Sequence, residues 1–176
     1  MDTILFFCGI KHSGKTSLGN LVAKKMGLSC KDNDQLILQE IPGFPSIRSF
    51  YTAKGKEAFM EKEKSVLEGY LRKNPQPCII SLGGGACDNQ RLVSLIKSRG
   101  KVIYLRVPEK VLLRRILVGG VPPFLDPENV ELSFSTLYRS RDELYGKFSD
   151  IVVELPDYPD IRDTAEFLFS RLSEEL

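Results

Sequence analysis

Eight consecutive residues near the start of the chain, Gly9-Ile10-Lys11-His12-Ser13-Gly14-Lys15-Thr16, restrict the fold more than any other feature. The apolar run before them, ending at Cys8, reads as a buried strand closed by glycine. After them Leu18, Leu21, Val22 and Met26 recur at helical spacing, and Gly27 suits a C-cap. A glycine turn between strand and helix aims several backbone N–H groups at one point, and the positive end of the helix faces the same point. This is the pattern of a P-loop, a cradle for a nucleotide polyphosphate. The expected nucleotide contacts are Gly9, Ser13, Gly14, Lys15, Thr16 and Ser17. Lys15 is expected on the β- and γ-phosphates and the Thr16 hydroxyl on Mg²⁺. Lys11 either adds charge to the phosphates or is a solvated loop lysine, and His12 reads as loop filler.

The rest of the chain alternates strand and helix. Apolar runs predict strands at residues 77–82, 101–107 and 150–155, and a short strand is expected at 29–32 after the first helix. Helical periodicity predicts two short helices between residues 34 and 50, broken by Ile41-Pro42-Gly43-Phe44-Pro45. Further helices are expected over 55–73, after an N-cap at Asp88, and over 109–117, 132–148 and 160–172. Residues 119–129 hold two glycines and three prolines and read as a loop. Such alternation implies an α/β fold in which helices cover both faces of a parallel sheet. No linker or repeat divides the 176 residues, so one domain spanning 1–176 is expected.

Charge and apolar content limit the partners. Twenty-five Lys and Arg against 23 Asp and Glu, mixed along the chain, give no basic stripe for nucleic acid. Apolar runs fall far short of the roughly 20 residues that span a bilayer, so no membrane association is expected. Met1 and Asp2 lack the basic start of a secretory signal. Cys8, Cys30, Cys78 and Cys87 show no metal-like spacing with His12, the single histidine. Buried free thiols, at least for Cys8 and Cys78, and a cytoplasmic location are the expectation.

Two further motifs narrow the chemistry. Asp32 and Asp34 stand two apart at the end of a short strand, where alternation places both carboxylates on one side. One suits a metal ion, the other a substrate hydroxyl that it orients as a base. Gly83, Gly84 and Gly85 end a buried strand, and the carboxyl ends of parallel strands form the ligand crevice. Neither a guanine-recognition motif nor an apolar strand ending in aspartate is present, so transfer of phosphate to a small molecule is the natural use.

The order GIKHSGKTSLGNLVAKKMG, DND, GKEAFMEKE, SLGGGA, RRILVGGVPPFL and RDELY resembles the shikimate kinase family over most of residues 6–145. The resemblance implies a nucleoside-monophosphate-kinase-like, three-layer fold: a five-stranded parallel sheet flanked by helices, a substrate-binding segment about residues 33–60 and a mobile lid about 119–129. It implies transfer of the ATP γ-phosphate to the 3-hydroxyl of shikimate, with Mg²⁺, by a monomer. Carried over by position, Lys15 and Asp34 are catalytic and Thr16 and Asp32 hold the metal. Arg115 stacks on adenine, while Asp34, Gly83, Gly84, Gly85 and Arg141 bind substrate, Arg141 through a carboxylate.

The chain also departs from the family. Phe44-Pro45 stand where an arginine is usual, Met60 replaces the arginine after Phe59, and Pro122 replaces the lid arginine; no Lys or Arg occurs between Arg115 and Arg139. Lys11, Arg48 and Arg139 are the cations available to compensate. Three readings stay open: a divergent shikimate kinase, a kinase for another polyol or sugar acid such as gluconate, and a nucleotide-binding homologue that has lost catalysis.

Overall fold

The computed structural model describes residues 3–122 and 124–176. Five strands form one sheet: β1 (Ile4–Cys8), β2 (Ser29–Asp32), β3 (Cys78–Ser81), β4 (Gly100–Arg106) and β5 (Ile151–Glu154). Their order is β2-β3-β1-β4-β5 and every pairing is parallel. β1 and β3 are buried along their whole length, because helices cover both of their faces. That is why each reads as an unbroken apolar run instead of an alternating one. The edge strands β2 and β5 lie half open.

Seven helices among the described residues flank the sheet: α1 (Lys15–Met26), α2 (Asn33–Gln39), α3 (Ile47–Lys73), α4 (Gln90–Arg99), α5 (Glu109–Gly119), α6 (Val130–Phe148) and α7 (Ile161–Glu175). α1 packs on α7, α3 on α4 and α5 on α6. The core runs from Leu5, Phe6 and Phe7 through Ile79, Ile80, Val102, Ile103 and Leu105 to Leu168 and Leu172. None of the described helices is long and apolar enough to cross a membrane. All four cysteines are free thiols; Cys8, Cys78 and Cys87 are buried and Cys30 is partly so.

Three local expectations need correction. The second of the short helices expected before residue 50 does not stop there. It runs from its Ser46 cap into α3, and the break falls instead at Gly55 (φ 82°, ψ 175°). Asp88 does not cap α4: it lies in a 3₁₀ turn, Ala86–Asp88, and the neighbouring Asn89 accepts from the Leu92 N–H at 3.2 Å. Asp32 and Asp34 are not alternating strand residues either. β2 ends at Asp32, which becomes the N-cap of α2 and accepts from the N–H groups of Asp34 (2.9 Å) and Gln35 (3.3 Å). A capping carboxylate satisfies donors that a helix start leaves free, and here that outweighs continuation of the strand.

Parallel pairing sends all strands to the same edge, so the loop after β1, the turn after β2 and the glycines after β3 come together there. Phe7 and Asp32 both register against Ser81. The site is a consequence of this register.

Candidate active site

The loop after β1 has the shape of an anion cradle. Gly9 (φ 148°) and Gly14 (φ 84°) adopt positive φ, which glycine accepts without steric cost, and His12 (φ 67°) adopts it as well. α1 then begins with no side-chain cap, leaving its first N–H groups for a ligand. Lys15 is 8% exposed, and its ammonium donates to the carbonyls of Gly9 (2.9 Å) and Ile10 (3.1 Å) and to Ser13 Oγ (3.4 Å). Burial pushes its pKa down to about 8 against the pull of nearby acids, Asp34 and Asp32 among them. Ser17 lies exposed on the first turn of α1.

Thr16 links the cradle to β2. Its hydroxyl donates to Asp32 Oδ2 and lies 3.0 Å from Ser81 Oγ. With the Thr16 proton committed to Asp32, Ser81 is the donor in the second contact. Thr16 and Asp32 thus present oxygens side by side, the donor type that Mg²⁺ prefers; one or two carboxylates plus phosphate and water oxygens are its usual shell. The residues fit that ion.

Asp34 stands in the first turn of α2, aimed at Gly83: a Cβ added there would lie 3.0 Å from Asp34 Oδ1. Burial raises its pKa first, Asp32 adds to the rise, and Lys15 and Lys11 oppose it. The glycine run serves close approach, since none of the three has positive φ. A Cβ on Gly84 would come within 2.9 Å of the Lys11 nitrogen, and one on Gly85 within 3.2 Å of the Arg141 guanidinium.

Arg141 reaches the same place from α6, donating to the Gly84 carbonyl (2.9 Å) and to Asp88 Oδ2 (2.9 Å). Its guanidinium also lies 5.9 Å from the Phe124 ring centroid, so the loop after α5 reaches the same arginine. Arg115 faces the other end of the cradle. It donates to the His12 carbonyl (3.1 Å) and pairs with Asp157. A cleft of about 160 Å³ opens beside it, walled by Gly14, Leu18, Tyr158, Pro159 and Thr164, where a base attached to cradled phosphates would lie. A larger groove of about 280 Å³ between α2 and α3 contains none of these residues.

The compensating cations divide. All three are exposed, and of them Lys11 is the one close enough to pull on Asp34. Where an arginine was expected, Phe44 packs edge-on against Phe50 (5.1 Å) and joins a small apolar cluster with Ile37 and Ile41. Pro122 is buried. Pro123, within the lid segment, lies outside the described residues.

Four participants escaped the sequence reading: Ser81, Asp88, Asn89 and Glu63. Glu63 is 2% exposed and accepts from Asn89 Nδ2 at 2.9 Å. It stands four residues after Phe59 and four before Leu67, on the apolar stripe of α3, and that position was the available signal. Burial pushes its pKa from 4.5 up to about 7, with Asp34 and Asp88 adding to the rise. The protonated form is therefore favoured in the folded state. The cost is absent below the unfolded value, grows between about 4.5 and 7, and is complete above that window. We expect the Glu63→Gln protein to gain about 3 kcal/mol over wild type at pH 8 and almost none at pH 4.5, measured by urea unfolding at both pH values. A gain equal at both values would contradict the assignment.

Comparison with known proteins agrees with this geometry. Residues 11–170 match the family model for shikimate kinase. The shikimate kinase of Chlorobium chlorochromatii is 32% identical over 178 residues, covering 97% of this chain and 90% of that protein. The structure of shikimate kinase from Acinetobacter baumannii in complex with shikimate aligns with a TM-score of 0.83 at 26% identity, covering 100% of this chain and 96% of that one. A gluconokinase from Sinorhizobium meliloti, at 18% identity and a TM-score of 0.61, covers 99% of this chain and 95% of its own and shares the fold alone.

Proposed function

This chain belongs to the shikimate kinase family, an ATP-dependent kinase family, and we propose that it transfers the γ-phosphoryl group of ATP to the 3-hydroxyl of shikimate. The observation that carries this reading is the meeting, at one sheet edge, of the Lys15 cradle, the Thr16–Asp32 pair and the buried Asp34 against Gly83.

Each residue has a physical task in that reaction. Gly9, Ser13, Gly14 and the start of α1 hold the phosphates through N–H groups, with Ser17 at the rim. Lys15 leaves its carbonyl partners for the phosphates, where a full charge in a water-poor site counts most. Thr16 and Asp32 would hold Mg²⁺, which neutralises charge on the β- and γ-oxygens when bound. Asp34 accepts the hydrogen bond of the acceptor hydroxyl and takes its proton as the new O–P bond forms and the β-oxygen of ADP departs. A carboxylate whose pKa is raised by burial is a stronger base for that proton. Arg141 leaves Asp88 to meet the shikimate carboxylate, and Gly83 to Gly85 let the ring lie against the backbone. Arg115 closes the adenine cleft. The loop about 119–129 closes over the nucleotide and limits hydrolysis, its Phe124 contact with Arg141 tying closure to the acceptor. A cytoplasmic monomer acting on a small molecule is the assignment that accompanies this reading.

Coupled ADP release in the presence of shikimate, quinate and gluconate tests the proposal. We expect shikimate to give the highest kcat/KM. Faster turnover of gluconate would move the assignment to a sugar-acid kinase, the alternative kept open by neutral residues at 44, 45 and 60. Bound ATP without turnover of any acceptor would identify a non-catalytic homologue.

A further inference from the structure

The reaction as described leaves one lysine of the cradle without a task. A Cβ added to Gly84 would come within 2.9 Å of the Lys11 nitrogen, 3.1 Å of its Cα and 3.2 Å of its Cβ. The phosphate loop and the acceptor-side glycines therefore meet at Lys11, and its side chain starts at that seam. From there its charge, like that of Lys15, opposes the rise in the Asp34 pKa. The Lys15 ammonium is buried on the carbonyls of Gly9 and Ile10. Lys11 is exposed and, among the described residues, makes no ion pair and no side-chain hydrogen bond.

The arginines of the site are engaged. Arg141 donates to Asp88 and the Gly84 carbonyl, and Arg115 pairs with Asp157 at the adenine end. Residues 119–129 carry Asp126 and Glu128 and no lysine or arginine, so a loop closing over the nucleotide brings acids and no cation. The charge to be met is large. A phosphoryl group in transit spreads negative charge over three equatorial oxygens, and only a cation that meets this charge better than it meets bound ATP accelerates transfer. A lysine at the seam between donor and acceptor has that position.

We propose that Lys11 is a second catalytic lysine, its ammonium holding an oxygen of the γ-phosphoryl group as that group crosses from the cradle to the hydroxyl at Asp34. The inference rests on the shikimate-phosphorylating reading above. The bond from the γ-phosphorus to ADP breaks with its electron pair going to the β-oxygen. The acceptor oxygen bonds to the γ-phosphorus, and its proton passes to Asp34. Lys11 neither gives nor takes a proton; it stays an ammonium and donates hydrogen bonds to the charge in transit. The cation that loop closure does not supply thus comes from the cradle itself.

Lys11→Met supplies the test, because it keeps the length of the side chain and removes the charge. We expect the single-turnover rate of transfer to shikimate to fall about 10²-fold, with KM for ATP and for shikimate within about threefold of wild type. The melting temperature should not move, since the side chain is exposed. Because the contact is to the phosphoryl group, the slow hydrolysis of ATP by water should fall by a similar factor. A solvated loop lysine would leave both rates unchanged. A lysine that meets the acceptor carboxylate would raise KM for shikimate and leave hydrolysis as it was. Either result overturns the proposal for Lys11 alone. A wild-type protein that leaves shikimate unphosphorylated overturns the reading beneath it, and the ratio of hydrolysis rates between wild type and Lys11→Met then decides the role of Lys11.

Discussion

Asp34→Ala is expected to lower turnover of shikimate by about 10³-fold while leaving ATP affinity within about threefold of wild type. The separation follows from the contacts. The carboxylate of Asp34 faces Gly83 on the acceptor side, whereas the cap that begins α2 uses only its backbone N–H, which still reaches Asp32 Oδ1 after substitution. The Thr16–Asp32 link to the cradle is likewise untouched. What disappears is the group that aligns the acceptor hydroxyl and receives its proton, so the loss falls on kcat. Titration calorimetry with ATP beside coupled ADP release would measure both quantities. Activity like that of wild type would remove Asp34 from the mechanism.

Lys15→Ala should abolish measurable turnover, a loss of about 10³-fold or more, and should weaken ATP binding as well. Both effects are expected because the ammonium is the one full positive charge buried inside the loop, 2.9 Å from the Gly9 carbonyl and 3.1 Å from that of Ile10. Without nucleotide those carbonyls balance it imperfectly, and burial holds its pKa down at about 8. Removing it also removes an unfavourable buried charge, so the melting temperature should move by only a few degrees. Turnover retained within tenfold in the same coupled assay would show that the loop amides suffice without it.

Much of the fold was legible because its signals are local. β1, β3 and β4 are sandwiched between helices, so their burial shows as consecutive apolar residues. The cradle was legible because two glycines, a lysine and a threonine must follow one another for the backbone to close on a phosphate. Asp34 and Gly83 were identified separately, and it took the parallel register of β2 on β3 to bring them together. The parts that sequence missed depend on distant or degenerate partners. Asp88 and Asn89 are adjacent and both good caps; Arg141, 53 residues away, draws Asp88 off and leaves the cap to Asn89. Glu63 stands among charged neighbours, between Lys62 and Lys64, and only the turn that brings Asn89 under α3 gives its carboxylate a hydrogen-bonded buried place. The non-helical Gly55 (φ 82°, ψ 175°) separates two helical segments, in agreement with the helix read from residue 55 onward; what local signals missed is that the preceding segment continues past residue 50 up to that glycine.

The departures from the family have a structural counterpart. Phe44 has become part of an apolar cluster with Ile37, Ile41 and Phe50, and Met60 contributes a backbone carbonyl to Asn89. Neutral side chains at these positions leave Arg141 as the matched partner of a shikimate carboxylate, and Arg141 must first give up Asp88. Binding of shikimate should therefore depend more on hydroxyl contacts here than a three-arginine site would require.

The central claim is that the cradle and Asp34 line up a phosphate donor and an alcohol in one site. A crystal structure with a non-hydrolysable ATP analogue, Mg²⁺ and shikimate tests it most directly. The account predicts phosphates within the amides of residues 9–16 and the 3-hydroxyl about 2.7 Å from an Asp34 carboxylate oxygen. An empty loop at millimolar nucleotide, or Asp34 turned to solvent with shikimate bound elsewhere, would contradict it.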